Sequence, residues 1–209
     1  MYGKYLKRLI DCFLSGIALI VLSPVMLVIA ILIRIKLGSP VIFKQDRPGR
    51  NEKIFTMFKF RSMTDEKDAD GNLLPDEKRL PRFGRILRTT SLDELPELVN
   101  IFRGDMSIVG PRPLLVRYLP YYKPDEKIRH SVRPGLTGLA QVNGRNNLDW
   151  DERIGFDIQY VQKITFLGDI KIILQTIGKV LKRSDIASGE QLIMQDLDKE
   201  RAWMIEENK

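Results

Sequence analysis

The pattern of apolar and polar residues is dominated by one long apolar run near the N-terminus. It extends from Cys12 to Ile33 without a charged residue. As a helix rising ~1.5 Å per residue it would be roughly 33 Å long, enough to cross the hydrocarbon core of a bilayer. Ser23 and Pro24 stand near its middle, and a proline inside a helix removes a hydrogen bond and bends the chain. The pattern therefore predicts a membrane helix with a break at the Ser-Pro pair.

Basic residues flank this run on both sides. They are Lys4, Lys7 and Arg8 before it, and Arg34, Lys36 and Lys44 after it. Because positively charged flanks stay in the cytoplasm, both ends are predicted to lie on one side of the membrane. We therefore predict a re-entrant helix and anchor over residues 1–38. A single crossing is the alternative, whereas a cleavable signal peptide is disfavoured by the length of the run and by the lack of a small-residue cleavage site.

Short strands and amphipathic helices are predicted after the anchor. In chain order they are strands at 41–43 and 54–60 with a turn at 46–49, an exposed loop or frayed hairpin at 64–81, one helix over 83–102 that stops at Gly104, and helices at 148–161 and 168–183. The last helix has an apolar face and several lysines, typical of a helix in the headgroup region or of one packed on a core. We expect an α+β fold that is predominantly helical, with a small antiparallel sheet. It divides into a catalytic domain over 39–185 and a tail over 186–209.

Composition narrows the partners. The net charge is +7, which favours anionic partners such as lipid headgroups or phosphorylated small molecules. No zinc-finger or RNA-binding signature occurs, so nucleic acid is not expected as a partner. One cysteine and one histidine can form neither an internal disulfide nor a zinc site of the usual kind. Carboxylates remain as metal ligands, and these favour Mg²⁺, Mn²⁺ or Ca²⁺.

The segment 91–97 places adjacent carboxylates at a predicted helix start. A structural interpretation is a capping box between Ser91 and Glu94. Pro96 is tolerated only in a first turn, so Asp93 and Glu94 are expected at the start of the helix, beside backbone donors that also bind phosphate. A free carboxylate in such a place can attack phosphorus and form an aspartyl phosphate. Both interpretations remain open on spacing alone.

Several basic residues are candidates for binding a phosphate. Arg88 lies just upstream of the acidic segment, Lys59 ends a predicted strand, and Arg112 stands between two prolines that fix its backbone. Asp157 on the predicted helix 148–161 is either a second metal ligand or a surface acid. Neither a Walker loop nor a G-x-G-x-x-G fingerprint occurs, so phosphoryl chemistry would depend on carboxylates, arginines and a divalent ion.

Together these motifs resemble the bacterial monotopic phosphoglycosyl transferases. The shared segments, besides the Ser-Pro-broken apolar run, are Val41–Gln45, Arg47–Gly49, Phe58–Met63, Ser91–Pro96, Gly104–Pro113, Arg133–Gly138 and Gln141–Arg145. The resemblance covers about residues 1–185. Within the family, the stretch 112–122 is most similar to the small transferases of bacterial N-glycosylation that move N,N′-diacetylbacillosamine phosphate. Arg117 departs from that subgroup, where an acid is expected, so the sugar stays open.

The resemblance implies a reaction and its participants. Asp93 would attack the sugar-bearing phosphate of a UDP-sugar, UMP would leave, and undecaprenyl phosphate would take up the phosphosugar for later glycosyltransferases. Mg²⁺ would be bound by Asp93, Glu94 and Asp157. Arg112, Arg88, Lys59 and Arg145 would contact phosphate. The implied location is the cytoplasmic face of the bacterial inner membrane.

Other functions fit parts of the sequence. The same reaction with another UDP-hexose or UDP-N-acetylhexosamine is one alternative. A non-catalytic membrane adaptor that binds anionic lipid is another, although it has no need of Asp93 and Glu94. A membrane phosphatase with an aspartyl intermediate is the third, and it would release phosphate to water instead of forming a lipid-linked product.

Overall fold

The computed structural model describes residues 2–144, 148–182 and 195–206. A π-helical turn over Tyr2–Leu6 leads into helix α1, which spans Lys7–Lys36. The predicted break does not divide this helix, because Ser23 and Pro24 lie within it. The Ser23 hydroxyl donates to the Ile20 carbonyl at 2.7 Å, the acceptor that Pro24 leaves without its helical partner. The Ser-Pro pair is therefore accommodated inside one continuous helix.

Helix α1 has one side against the rest of the protein and one exposed apolar side. Near its start, Asp11 accepts hydrogen bonds from the Ser107 hydroxyl at 2.6 Å and from the Ile108 amide at 3.2 Å. Near its end, Ile33 is fully buried in the core. Among the described residues α1 is the one helix long and apolar enough to cross a membrane, and only 11% of its most apolar stretch is buried. Its apolar character therefore does not come from a place in the protein core.

The predicted strands form an antiparallel hairpin. Strand β1 (Ile42–Pro48) pairs with strand β2 (Ile54–Phe60), in a register that places Ile42 opposite Phe60 and Pro48 opposite Ile54. The first strand is longer than predicted. It includes most of the predicted turn at 46–49. The observed turn begins only at Gly49 and contains the 3₁₀ turn Arg50–Glu52. The loop at 64–81 has hairpin character, because Lys67 and Leu73 form an isolated antiparallel bridge before the short helix α2 (Asp76–Arg79).

The single helix predicted over 83–102 is wrong. The segment folds as helix α3 (Arg82–Thr89), a 3₁₀ turn at Leu92–Glu94 and helix α4 (Glu97–Arg103). Ser91 stands between them in the left-handed region, with φ of 55°, which ends the first helix and redirects the chain. Gly104 ends α4 with φ of 96°, as predicted. Because of this interruption, Asp93 and Glu94 lie in a 3₁₀ turn and not in a regular α-helix.

The Pro- and Gly-rich region that follows contains little regular structure. Strand β3 (Ser107–Val109) pairs in parallel with strand β4 (Gly135–Thr137). Two 3₁₀ segments, Val116–Tyr121 and Glu126–Ser131, lie between them, and the short helix α5 (Leu139–Asn143) follows. Gly110 follows β3 and packs closely against the segment before β4. There is no room for a side chain, because an added Cβ would lie 2.6 Å from the Arg133 carbonyl oxygen.

Helices α6 (Trp150–Gln162) and α7 (Phe166–Lys182) agree closely with prediction. A capping box between Asp149 and Glu152 begins α6. One side of α7 is buried through Asp169 and Ile172. Its other side exposes large apolar residues, which are Phe166, Leu167, Ile170, Leu174 and Ile177. An exposed apolar side of this kind is typical of a helix at a membrane interface.

The described end of the chain packs against the domain, although its sequence pattern predicts no element. It contains the short helices α8 (Leu197–Glu200) and α9 (Trp203–Glu206). Leu197 is fully buried in a cluster with Tyr118 and Trp150. Arg201 donates to both carboxylate oxygens of Glu126, at 2.6 and 2.9 Å. This segment therefore supports the 3₁₀ turn that begins at Glu126.

A buried amide joins α4 to the hairpin, and it gives the first testable prediction. Asn100 is fully buried, accepts from the Phe58 amide at 3.0 Å and donates to the Thr56 carbonyl at 2.8 Å. Asn100→Leu is expected to lower the free energy of unfolding by about 1–3 kcal/mol for each backbone group left unpaired. Denaturant unfolding in detergent measures this loss. The control Asn143→Leu, at an exposed amide, should change stability little, and equal losses in both variants would contradict the assigned role.

Candidate active site

A cavity of about 1030 Å³ lies between the hairpin, the acidic turn, the Arg112 segment and α6. It is lined by six of the predicted site residues, which are Lys59, Arg88, Asp93, Glu94, Arg112 and Asp157. Arg145, the seventh predicted residue of the site, lies outside the described residues. The volume is at the upper end of the range for pockets that hold a small ligand.

Asp93 is a buried carboxylate that faces the cavity. It lies in the 3₁₀ turn after Ser91 and is 8% exposed. No described residue hydrogen-bonds to its carboxylate. Burial and the charge of Glu94 raise the pKa of Asp93 to about 6, while Lys59, Arg88 and Arg112 act in the opposite direction. At neutral pH the group is therefore ionised and available to attack an electrophile.

Glu94 has bound cationic partners, and its pKa is shifted in the direction opposite to that of Asp93. Its Oε1 accepts from Lys59 Nζ at 2.8 Å and from Arg112 Nη2 at 2.7 Å. Burial alone would raise the pKa of Glu94, but the charges of Arg112 and Lys59 outweigh burial and lower it to about 2. The capping box between Ser91 and Glu94, one of the two interpretations of the spacing, does not form, because the Ser91 side chain makes no capping hydrogen bond and Glu94 pairs with Lys59 and Arg112. Glu94 instead holds two cations in the cavity.

A third carboxylate, Glu97, lies near Glu94 and Lys59 and was not predicted as a site residue. It is 2% exposed, and its Oε1 lies 3.1 Å from Lys59 Nζ in a geometry that makes an ion pair without a hydrogen bond. Burial and the charge of Glu94 raise the pKa of Glu97 to about 7. The three carboxylates of one short segment thus differ widely in pKa. The only sequence signal was the place of Glu97 in the same acidic segment.

Asp157 forms a buried ion pair with Arg129 in the wall of the cavity. Arg129 Nε and Nη2 both donate to Asp157 Oδ2, at 3.1 and 2.7 Å, and both side chains are almost fully buried. Arg129 Nη2 also donates to the Arg112 carbonyl at 2.8 Å. Asp157 is therefore linked to the Arg112 backbone through Arg129. Sequence reasoning missed Arg129 because nothing local distinguishes it from a surface arginine.

The remaining predicted cations approach the acidic turn from other elements. Lys59 extends from the end of β2 and lies between Glu94 and Glu97. Arg88, near the end of α3, donates from Nε to the Ser62 hydroxyl at 2.9 Å. Its charge is one of those that lower the pKa of Asp93. Lys59, Arg88 and Arg112 thus surround the Asp93 carboxylate electrostatically, as a phosphate-binding site requires.

The predicted magnesium ligands do not form a protein-only cage. The described residues contain no group of three His, Cys, Asp or Glu side chains placed to hold a metal ion. Asp157 is paired with Arg129, and Glu94 with two cations. Of the three predicted ligands, Asp93 is the one that no described residue hydrogen-bonds. This donor set suits Mg²⁺ bound by one or two carboxylates and mainly by substrate phosphates, and the ion remains a prediction.

The raised pKa of Asp93 predicts the pH dependence of its chemistry. If the ionised carboxylate attacks the UDP-sugar that the family resemblance implies, UMP is released in a single turnover. The rate of this release should rise with pH through a midpoint near 6 and level off above it. The reaction is run without acceptor, because a phosphate monoester also titrates near pH 6. Glu97→Gln is the matched control, since it removes the other carboxyl group that titrates near neutrality. Loss of the midpoint in this variant would assign the titration to Glu97 instead.

Comparison with known proteins identifies the family of the chain. The family model described as bacterial sugar transferase matches residues 2–183. The chain is 51% identical over 176 residues to the uncharacterized sugar transferase EpsL of Bacillus subtilis, covering 84% of this chain and 87% of EpsL. It is 38% identical over 201 residues to the undecaprenyl-phosphate galactose phosphotransferase of Salmonella typhimurium, covering 87% of this chain and 41% of that protein. A UDP-glucose:undecaprenyl-phosphate glucose-1-phosphate transferase of Escherichia coli is 38% identical over 187 residues, covering 85% of this chain and 40% of that protein.

An apolar helix with an exposed side and a cavity with basic residues around an acidic turn suit a transferase at a membrane surface. The chain belongs to the bacterial sugar transferase family. It spans most of EpsL but only about two fifths of several longer relatives.

Proposed function

We propose that the protein transfers a sugar 1-phosphate from a UDP-sugar to undecaprenyl phosphate and releases UMP, with Asp93 as the nucleophile. The observation that carries the proposal is the Asp93 carboxylate, which faces a large cavity and has no hydrogen-bonding partner among the described residues. Lys59, Arg88 and Arg112 line the same cavity, and their charges lower the pKa of Asp93. The names of the Salmonella and Escherichia relatives support this class of reaction.

In the first step, an oxygen of Asp93 attacks the phosphorus that bears the sugar. The bond from that phosphorus to the bridging oxygen breaks, and UMP leaves with the electron pair. The product is an acyl phosphate between Asp93 and the sugar phosphate. Arg88 and Arg112 bind the charge of the diphosphate during this exchange. Since Asp93 is ionised at neutral pH, no separate base is needed to activate it.

In the second step, a phosphate oxygen of undecaprenyl phosphate attacks the same phosphorus. The bond to Asp93 breaks, which restores the carboxylate and yields the polyprenyl diphosphosugar. Glu94 positions Lys59 and Arg112 by accepting a hydrogen bond from each. When bound, Mg²⁺ would neutralise charge on the phosphates and would be held by Asp93 or Glu94.

The contacts of α1 support a monotopic placement at the cytoplasmic face. At one end of the helix, Lys7 pairs with Asp169 at 2.6 Å, and at the other, Ile33 packs with Phe60 and Leu87. Both ends therefore contact the same folded domain, and a helix that crossed the membrane would carry that domain into the lipid. Protease-accessible tags on the two termini, probed in sealed vesicles, should be cleaved from the same side. Cleavage from opposite sides would contradict this placement.

The reaction is tested with purified protein, Mg²⁺, undecaprenyl phosphate and a panel of UDP-sugars. The panel contains the N,N′-diacetylbacillosamine donor, which the sequence favours, and the glucose and galactose donors suggested by the names of the relatives. UMP together with a lipid-linked diphosphosugar would establish the reaction and identify the donor. Release of UDP would instead indicate direct glycosyl transfer and exclude the Asp93 mechanism. Release of free phosphate without lipid product would indicate a phosphatase.

A further inference from the structure

Lys59 is held by two carboxylates at the edge of the cavity. Its Nζ donates to Glu94 Oε1 at 2.8 Å and lies 3.1 Å from Glu97 Oε1. Lys59 and Glu94 line the cavity, whereas Glu97 is 2% exposed and is not among the lining residues. Glu97 can therefore affect a bound substrate through its neighbours, of which Lys59 is its ion-pair partner.

Helix α4 and strand β2 hold the two members of this pair in place. Asn100 lies one turn after Glu97 on α4, and it binds the Phe58 amide and the Thr56 carbonyl of the strand that carries Lys59. These hydrogen bonds fix the helix and the strand relative to each other. Because apolar residues can often replace a buried ion pair without loss of stability, packing alone does not explain a charged pair at this place.

The surroundings of Lys59 suit the binding of a carboxylate better than that of a phosphate. Its side chain is 16% exposed, and a phosphate that approached its Nζ would be repelled by the carboxylates of Glu94 and Glu97. The Arg112 side chain is 41% exposed and pairs with Glu94 alone among the carboxylates of the described residues. Arg112 is therefore the more accessible of the two cations.

Both cations bind the same oxygen of Glu94. Lys59 Nζ and Arg112 Nη2 donate to Glu94 Oε1 at 2.8 and 2.7 Å, and no described residue donates a hydrogen bond to Oε2. The Glu94 carboxylate is thus held by one oxygen, while the other is left for a ligand in the cavity.

We propose that Lys59 is a positioning residue, with Glu97 as its buried anchor, which fixes Glu94 by Oε1 and leaves Oε2 available to a substrate beside Asp93. An ammonium group with two carboxylate partners moves less than one with a single partner, and a supporting contact of this kind holds a functional side chain in place. Phosphate contact then falls to Arg88 and Arg112, although the family resemblance implies it for Lys59 as well. The reaction that Glu94 serves rests on the proposed function.

A double-mutant cycle on UMP release in a single turnover, without acceptor, tests the role of Lys59. Lys59→Met should lower the rate constant roughly 10- to 100-fold in the wild type. In a Glu94→Ala background the same change should lower it by less than about threefold, because the residue that Lys59 positions is already absent. Equal slowing in both backgrounds would mean that Lys59 contacts the substrate itself, and it would overturn the proposal.

A second cycle tests Glu97. Glu97→Leu should slow the same step, but in a Lys59→Met background it should change the rate constant by less than about threefold. Glu97→Gln keeps an acceptor for Lys59 and should retain more activity than Glu97→Leu. The control Lys53→Met replaces an exposed lysine in the turn of the same hairpin and should behave like the wild type. Wild-type rates in Glu97→Leu, or an equal loss in both backgrounds, would contradict the role of Glu97.

Two further results separate positioning from folding and from the proposed function. A role confined to folding would lower the amount of UMP formed in the single turnover without changing its rate constant, and this result would overturn the proposal. Crystal structures of the wild type and Lys59→Met need no sugar donor, and the Glu94 carboxylate should be displaced in the variant. An unmoved Glu94 would also overturn the proposal. Failure of the wild type to make UMP and lipid product would count against the proposed function alone.

Discussion

Asp93→Asn is expected to abolish UMP release while leaving the protein folded. The amide that replaces the carboxylate cannot form the acyl phosphate, so turnover should fall on the order of 10⁴-fold or more, as for removal of other covalent nucleophiles. The variant should still bind vesicles, because Asp93 lies in the cavity and α1 supplies the exposed apolar side. UMP formation at pH 8 and vesicle flotation measure the two properties.

The same substitution has a predicted effect on stability that follows from the raised pKa. The carboxyl group of Asp93 has a pKa of about 6 in the folded protein against 3.8 ordinarily, so the folded state binds the proton more tightly. Its ionised form therefore costs stability, and this cost develops as the pH rises from about 4 to 6 and is complete above it. At pH 8, Asp93→Asn should unfold at the wild-type temperature or higher. Its free energy of unfolding should exceed that of the wild type by at most ~3 kcal/mol.

A matched control comes from the same cavity. Asp65 also lines the cavity, but its side chain is 62% exposed and pairs with Arg61. Asp65→Asn should leave UMP release within a few-fold of wild type. Turnover by Asp93→Asn at a comparable level would rule out the covalent mechanism, and an unfolded Asp93→Asn would show that the carboxylate is structural.

The second large effect is expected at the buried pair of Asp157 and Arg129. Asp157→Asn keeps the shape of the side chain but leaves the Arg129 charge buried without a counterion. Breaking a buried pair from one side typically costs 3–5 kcal/mol, so unfolding should occur at a clearly lower temperature. Activity should fall as well, because Arg129 also holds the Arg112 carbonyl. Denaturant unfolding and UMP release in the same preparation measure both.

The double variant Asp157→Leu with Arg129→Met separates stability from activity. It removes both charges, so most of the lost stability should return. Activity should remain low, since the donor to the Arg112 carbonyl is gone. If Asp157 contacts Mg²⁺ directly instead, Asp157→Asn would keep its stability, and added Mg²⁺ would restore its activity. That pattern would contradict the positioning role described here.

The parts of the molecule that sequence could predict were those set by local pattern. The apolar run, the β hairpin and helices α6 and α7 follow from periodicity, capping and turn residues, although β1 extends past its predicted end. The interruption at Ser91 could not be predicted in this way, since a serine in the left-handed region has no compositional signal. The C-terminal segment was equally unpredictable, because Leu197 and Arg201 are buried only against distant partners.

The same distinction holds for the site. Asp93 and Glu94 stand together in one recognisable segment, and the contacts of Glu94 with Lys59 and Arg112 join predicted residues in one cavity. The contact of Arg129 with Asp157 joins positions far apart in the chain, and the burial of the Arg47 Nε atom depends on the packing around it. Burial and neighbouring charges together decide the pKa of each acid, and both depend on distant contacts that spacing does not encode.

Mass spectrometry of the protein after incubation with the UDP-sugar and Mg²⁺, without acceptor, tests most directly whether Asp93 carries the sugar phosphate. We expect a gain of one sugar phosphate on the peptide containing Asp93, accompanied by one equivalent of UMP and lost when undecaprenyl phosphate is added. An adduct on another residue, or full turnover with no adduct at any time, would contradict it.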